Sequence, residues 1–121
     1  MLPQVFKTIS VPSVTDIVGI QIYDFDSVPE GVTAPYISWL FAQGLPHENI
    51  SDAPGGDTYM VQIDCYAGPG EDGRDEVEAL WLAVRDALDA AQISNRMVIA
   101  TRERDTKLFR ILIEADFISQ R

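Results

Sequence analysis

The sequence is organised around a stretch of alternating residues, a turn and a long stretch with a helical period. From Thr58 to Tyr66, apolar and polar side chains alternate. This period of two, in residues that are often β-branched or aromatic, predicts a strand with one buried face. Gly68-Pro69-Gly70 ends the strand, because proline removes a ladder donor and glycine permits positive φ. From about Arg74 to Ala91, apolar residues recur at i, i+3, i+4 and i+7, which predicts a helix that packs on the strand.

The rest of the chain divides into short segments with their own periods. Two short helices are predicted at Leu2–Ser10 and Ser13–Val18, with Ser13 as the N-cap of the second and Gly19 as its end. Strands are predicted at 20–24, 36–42, 96–104 and 107–119, the last two joined as a hairpin.

The order α-α-β-β-β-α-β-β predicts a single α+β domain over residues 1–121. We expect a mostly antiparallel β-sheet of about five strands, with the N-terminal helices and one long helix packed on one face.

Two polar loops interrupt this pattern before the central strand. The first is Asp26–Ala34, and the second is Leu45–Thr58, which contains the only histidine, His47. Loops longer than about twelve residues are usually functional or mobile. We therefore expect the second loop to be functional or mobile.

Charge is distributed unevenly along the chain. The net charge is −10, from 19 acidic and 9 basic residues. Residues 1–73 hold ten carboxylates against the single base Lys7, whereas residues 96–110 hold five bases against two carboxylates. The overall balance argues against binding of nucleic acid through a basic patch. The separation of charge is consistent with head-to-tail association of copies, and a solvated surface with uneven charge explains it equally well.

The residue types that usually carry chemistry are scarce. The single Cys65 lies in the strand pattern as a small buried residue, and His47 has no nucleophile pattern near it. One cysteine and one histidine do not supply the usual zinc ligands. No apolar run is long enough to cross a membrane, and no signal peptide is apparent, so the default compartment is the cytoplasm. We expect no catalytic, cofactor-binding or metal-binding residues.

Carboxylates on the predicted strands leave one enzymatic alternative open. If Asp64 lay beside Asp24 and Asp26, or beside Glu114 and Asp116, three carboxylates could hold Mg²⁺ as in a nuclease. A solvated acidic face explains the same residues, and no lysine accompanies them.

Taken together, the segments resemble the tail completion, or tail terminator, proteins of long-tailed phages and prophages. The resemblance covers nearly the whole chain and depends on the order and spacing of short motifs. These are Ile17-Val18-Gly19, Ile22-Tyr23, Pro29-x-Gly31, Pro35-Tyr36-Ile37-Ser38-Trp39, Gly44-x-Pro46, Val61-Gln62-Ile63-Asp64-x-Tyr66-Ala67 and Ala83-Val84-Arg85-Asp86-Ala87-Leu88.

The resemblance implies a structural virion protein without enzymatic activity. It implies a homo-oligomeric ring, commonly hexameric, that caps the tail tube, ends tube polymerisation and presents a surface to the head connector or neck protein. DNA would pass through without specific binding. The implied location is the head-proximal end of the virion tail, with assembly in the host cytoplasm and no membrane contact.

We expect the subunit or tail-tube interface to lie on the two loops and on the basic hairpin. The predicted residues are Glu30, Pro46, His47, Glu48, Asn49, Asp52, Arg102, Arg104, Lys107 and Arg110. Another head–tail connector protein is the nearest alternative. An acidic inhibitor that imitates DNA and the carboxylate metal nuclease are the other two.

Overall fold

The computed structural model describes residues 2–46 and 56–120, and within these ranges it contains three helices and five strands. Their bounds are α1 Val5–Ile9, α2 Pro12–Val18, β1 Ile22–Asp24, β2 Tyr36–Pro46, β3 Gly56–Ala67, α3 Gly73–Ala90, β4 Ser94–Arg102 and β5 Phe109–Gln120. No helix in the described ranges is long and apolar enough to cross a membrane.

The five strands form one mixed sheet in the order β1-β2-β3-β5-β4. Strand β1 runs parallel to β2, while the pairs β2–β3, β3–β5 and β4–β5 are antiparallel. The prediction of an α+β fold with a mostly antiparallel sheet is therefore confirmed, and so is the hairpin of the last two strands.

Burial of one face of β3 under α3 forms the centre of the core. Val61, Ile63 and Cys65 on β3 have no exposed surface, and neither do Leu80, Val84 and Leu88 on α3. Full burial of a large apolar side chain stabilises a fold by about 1.5–3 kcal/mol. The alternation of β3 and the helical period of α3 thus predicted the correct elements and the correct faces.

The two N-terminal helices pack against α3 and complete the helical layer. Val5, Ile9, Val14 and Val18 are buried between these helices and the sheet. The predicted cap at Ser13 is wrong, because α2 begins at Pro12, with Val11 at the N-cap position and no side-chain cap bond. Proline suits the first helical position, where its missing N–H would have no intrahelical partner.

Strands β2 and β3 are longer than the sequence pattern predicted. We expected β2 to end at Ala42 and a loop to span Leu45–Thr58, but the antiparallel ladder continues to the pair Pro46↔Asp57. The ladder continues because it is made by backbone groups. A proline fits at the end of β2, where β1 no longer lies alongside.

Strand β4 forms one edge of the sheet and is mostly exposed. The register shifts between Met97 and Ile99, so that Val98 is an extra residue in the strand. Met97, Val98 and Ile99 are 47, 46 and 42% exposed. This bulge makes β4 an irregular edge with apolar side chains.

The start of α3 requires a residue without a side chain at Gly73. A Cβ atom added there would lie 2.6 Å from Gly68 Cα and 2.8 Å from Phe109 Cδ2. We predict that Gly73→Ala lowers the free energy of unfolding by about 1–3 kcal/mol, because the turn and β5 must shift. Urea unfolding measures this loss. Gly70→Ala is the matched control, since nothing lies within 4 Å of a Cβ at Gly70, and equal stability of the two variants would contradict the prediction.

Candidate functional site

The helices cover one face of the sheet, and the opposite face carries polar side chains. Because side chains alternate along a strand, the residues between the buried positions of β3 and β5 point away from the helices. The strand register places these residues in cross-strand rows. They include Asp64, Arg110, Glu114 and Asp116, which the sequence had offered as possible ligands or interface residues.

The centre of this face is an ion pair between Asp64 and Arg110. Arg110 Nε donates a hydrogen bond to Asp64 Oδ1 at 2.6 Å, and the side chains are 27% and 13% exposed respectively. Burial raises the pKa of the Asp64 carboxyl, and the guanidinium of Arg110 opposes that rise. The pair joins two neighbouring strands and gives the buried carboxylate a cation.

Two tyrosines lie beside this pair. The rings of Tyr36 and Tyr66 stack with centroids 4.7 Å apart. Burial, followed by the negative charge of Asp64, raises the pKa of the Tyr66 hydroxyl. Next to them, the Ser38 hydroxyl donates to Asp26 Oδ1 at 2.9 Å. This end of the face is therefore a hydrogen-bonded, half-buried cluster.

A second set of ion pairs lies further along the same face. Arg96 binds Glu114 Oε1 and Asp116 Oδ2, both at 3.1 Å. Asp116 and Glu114 raise the pKa of Arg96 through hydrogen bonds and charge. One arginine on β4 thus contacts two carboxylates on β5 and offsets part of their charge.

The carboxylates do not assemble as the nuclease alternative required. In the described ranges, no group of three or more His, Cys, Asp or Glu side chains is placed to hold a metal ion. Asp64 is paired with Arg110, whereas Glu114 and Asp116 are paired with Arg96. Within the described residues, the strand register thus places one arginine against Asp64 and another against Glu114 and Asp116, rather than a cluster of three carboxylates.

The hairpin between β4 and β5 holds four of the predicted interface residues. Arg104 and Lys107 are exposed at its tip, and Lys107 has a left-handed φ of 63°. Arg102 donates hydrogen bonds to the carbonyls of Lys107 and Pro69, and its guanidinium lies 4.8 Å from the ring centroid of Phe109. Arg102 and Arg110 therefore support the subunit itself, while Arg104 and Lys107 project from it.

The remaining predicted interface residues are dispersed or lie outside the description. Glu30 is exposed in the turn of the loop after β1. Pro46 ends β2 and is paired with Asp57 in the sheet. His47, Glu48, Asn49 and Asp52 lie outside the described residues. Among the described members of the predicted set, the structure thus brings together those of the hairpin.

A groove between α3 and β4 was missed by the sequence analysis. It encloses about 540 Å³ and has a largely apolar lining with arginines at its rim. Trp81 is partly buried, packs against the core and lines this groove. The exposed apolar run Met97 to Ile99 was a sequence signal, but the sequence does not reveal that β4 is an edge strand.

The Asp64–Arg110 pair leads to a pH-dependent prediction. We predict that Arg110→Met lowers the free energy of unfolding by about 1–3 kcal/mol near neutral pH, because the half-buried carboxylate loses its charged partner. Without the guanidinium, the pKa of Asp64 in the folded state rises further above its value in the unfolded chain. The loss is therefore largest above that folded pKa and shrinks as Asp64 becomes protonated in acid.

Urea unfolding at about pH 7 and about pH 4 measures the difference between variant and wild type. Arg96→Met is the control, since Arg96 is 46% exposed and its partners are more exposed than Asp64. A loss of the same size at both pH values would show that Asp64 does not cause it.

With the geometry established, comparisons with known proteins identify the family. The sequence model of the family described as tail completion protein gp17 matches residues 7–119. A chain in the solved virion of a native gene transfer agent (GTA) particle has the same fold, with a TM-score of 0.62. It is 22% identical, and the alignment covers 95% of this chain and 92% of that one. No curated protein matches the sequence. Because the family model spans nearly the whole chain, the protein belongs to the tail completion protein gp17 family.

Proposed function

We propose that this protein forms a ring on the last ring of the phage tail tube, ends tube polymerisation and offers a surface for head joining. Membership of the tail completion family makes it a structural protein of the bacteriophage virion. The proposal of a ring that ends tube polymerisation is supported chiefly by the extent of that match, which includes both the sheet and the helical layer. The match therefore supports a tail completion role for the domain as a whole.

The charge distribution supports association of copies head to tail. The described segment from α2 through β2 contains Asp16, Asp24, Asp26 and Glu30 but no lysine or arginine. At the other edge of the sheet, β4 and the hairpin carry Arg96, Arg102, Arg104 and Lys107. Contacts between unlike surfaces of identical subunits produce rings when the rotation closes. A ring, commonly a hexamer, fits this arrangement.

The interface in this proposal combines the basic hairpin with the two loops before β3. Arg104 and Lys107 project towards a partner, while Arg102 and Arg110 hold the base of the hairpin. Glu30, Pro46 and the residues His47, Glu48, Asn49 and Asp52 would contact the neighbouring subunit or the tail tube protein. The head connector or neck protein would bind the opposite end of the ring.

The acidic balance suits a passage for DNA. With a net charge of −10, a ring of such subunits repels phosphate and does not retain the genome. The position proposed for the ring is the head-proximal end of the tail, reached after assembly in the host cytoplasm. We propose no catalytic step and no cofactor.

Two alternative functions differ from the tail terminator role, one in the partner protein and the other in the arrangement of charge that it requires. Another neck protein would share ring assembly but would leave tail length unaffected when absent. An inhibitor that imitates DNA needs rows of unpaired carboxylates on a rigid face. On the sheet face, Asp64, Glu114 and Asp116 are instead paired with arginines.

Tail length tests the terminator role directly. We predict that tails assembled without this protein contain abnormally long tubes, because nothing blocks addition of further tube subunits. Electron microscopy of tails from a deletion strain measures the length distribution. Complementation with the wild-type gene is the control. Tubes of normal length without the protein would overturn the terminator role and favour the neck alternative.

Charge reversal at the hairpin tip tests ring closure. We predict that Arg104→Glu lowers the proportion of closed rings and that the loss is larger at low salt, because exposed charges are screened by ions. Lys7→Glu on α1 is the matched control, since it is also exposed and changes the net charge equally. Native mass spectrometry at several salt concentrations measures ring mass, and unchanged rings for Arg104→Glu would exclude this part of the interface.

A further inference from the structure

The groove between α3 and β4 is an apolar depression with a basic rim. Helix α3 packs chiefly on β3 and β5, so that β4 extends beyond the helical layer. The floor of the groove is formed by Val77, Trp81, Met97, Ala100, Phe109 and Ile111. The polar and charged members of the lining are Arg74, Glu78, Thr101, Arg102 and Arg110. Its volume of about 540 Å³ accommodates a large side chain with its neighbours.

Several apolar side chains at this groove remain accessible. Met97 is 47% exposed, and Trp81 is partly exposed with the Arg85 guanidinium 5.5 Å from its ring centroid. Aromatic, methionine and arginine side chains are enriched in protein–protein interfaces. The groove thus has the composition of a binding site for another protein surface.

A complementary feature lies at the opposite edge of the sheet, directly after β1. Phe25 is 59% exposed, although its ring also contacts the rings of Trp39 and Phe41, with centroids 5.7 Å away in each case. Phe25 and Asp26 adopt left-handed φ values of 48° and 58°. A bulky residue in this conformation costs free energy and is often retained for a functional reason. We call Asp24-Phe25-Asp26 the acidic corner.

Charge makes the acidic corner and the groove complementary. Phe25 lies between two carboxylates, and no lysine or arginine occurs between Lys7 and Arg74 in the sequence. The charged residues that line the groove are Arg74, Arg102, Arg110 and one carboxylate, Glu78, so that basic residues outnumber acidic ones. Complementary charges at the margin of an apolar contact favour the correct partner and orientation. An apolar anchor flanked by carboxylates therefore matches an apolar groove flanked by guanidinium groups.

We propose that the groove between α3 and β4 binds the acidic corner of a second copy of this chain, with Phe25 as the anchor. This inference rests on the self-association in the proposed function and adds the two surfaces that carry it. Because the surfaces lie at opposite edges of one sheet, each copy uses its groove for one neighbour and its corner for the other. Such a contact is heterologous, and it closes into a ring when the rotation between copies permits.

Two substitutions test the contact from its two sides. Phe25→Asn removes the anchor, and asparagine accepts the left-handed conformation, so the subunit keeps its fold. Met97→Glu places a carboxylate on the groove floor. We expect each variant to associate about tenfold or more weakly than wild type, as is usual for a central anchor residue. Sedimentation velocity over a concentration series, and native mass spectrometry of the assemblies with and without tail tubes, measure association.

Each variant has a matched control. Val98→Glu introduces the same charge at the next residue of β4, which is 46% exposed but does not line the groove. Ile118→Asn replaces another exposed apolar residue, 63% accessible, on β5. Both controls should associate like the wild type. Thermal unfolding of all four variants verifies that differences in association do not arise from unfolding.

Mixing the two variants separates a heterologous contact from a symmetric one. Phe25→Asn copies keep an intact groove, and Met97→Glu copies keep an intact corner. A mixture should form one-to-one dimers, although neither variant dimerises alone. Larger assemblies should be absent, because the free groove and the free corner of that dimer are both defective.

The outcomes distinguish this inference from the proposed function. If the wild type assembles and both variants assemble equally well, the groove–corner contact is wrong, while the proposed ring stands. A small molecule that remains bound in the groove of assembled wild type would overturn it as well. If the wild type associates neither in solution nor on tail tubes, ring formation fails, and the inference fails with it.

Discussion

The structure depends on the burial of one apolar stripe of α3 against the inner face of β3 and β5. Leu80, Val84 and Leu88 meet side chains such as Ile63 and Ile113, all without exposed surface. Because α3 occupies this inner face with α1 and α2 beside it, the outer face and the edge β4 lie outside the helical layer. The surfaces available for assembly are therefore fixed by where a single helix packs.

Periodicity in the sequence was sufficient to predict the elements and the final hairpin, but not the order of the other strands in the sheet. The alternation of β3 and the helical period of α3 are local patterns, and the order of elements and the buried faces followed from them. The extension of β2 and β3 to Pro46 and Gly56 was missed, because backbone pairing continues where side chains no longer alternate. The sheet order also brings distant segments together. Arg110 and Asp64 meet across 46 positions of sequence, and Trp81 reaches β4 only through the fold.

Electrostatics divide the acidic residues into two groups. On the outer sheet face, Asp64, Glu114 and Asp116 are matched by arginines from β4 and β5. Near β1, carboxylates occur in a segment without bases. A chain with net charge −10 thus has arginines against the carboxylates of its sheet face and no base among the carboxylates at one edge. Sequence totals could not reveal this, since the balance depends on which strands are adjacent.

The bulge at Val98 also affects how the subunit behaves before assembly. A long, regular and apolar edge strand is a template for unlimited pairing with other chains. In β4 the extra residue breaks the register, and Arg96 and Arg102 lie on either side of the exposed apolar run. The irregular backbone and the flanking charges discourage backbone pairing between two β4 edges, while side-chain contacts at Met97 stay accessible. The same strand can thus keep newly made copies from aggregating in the crowded cell.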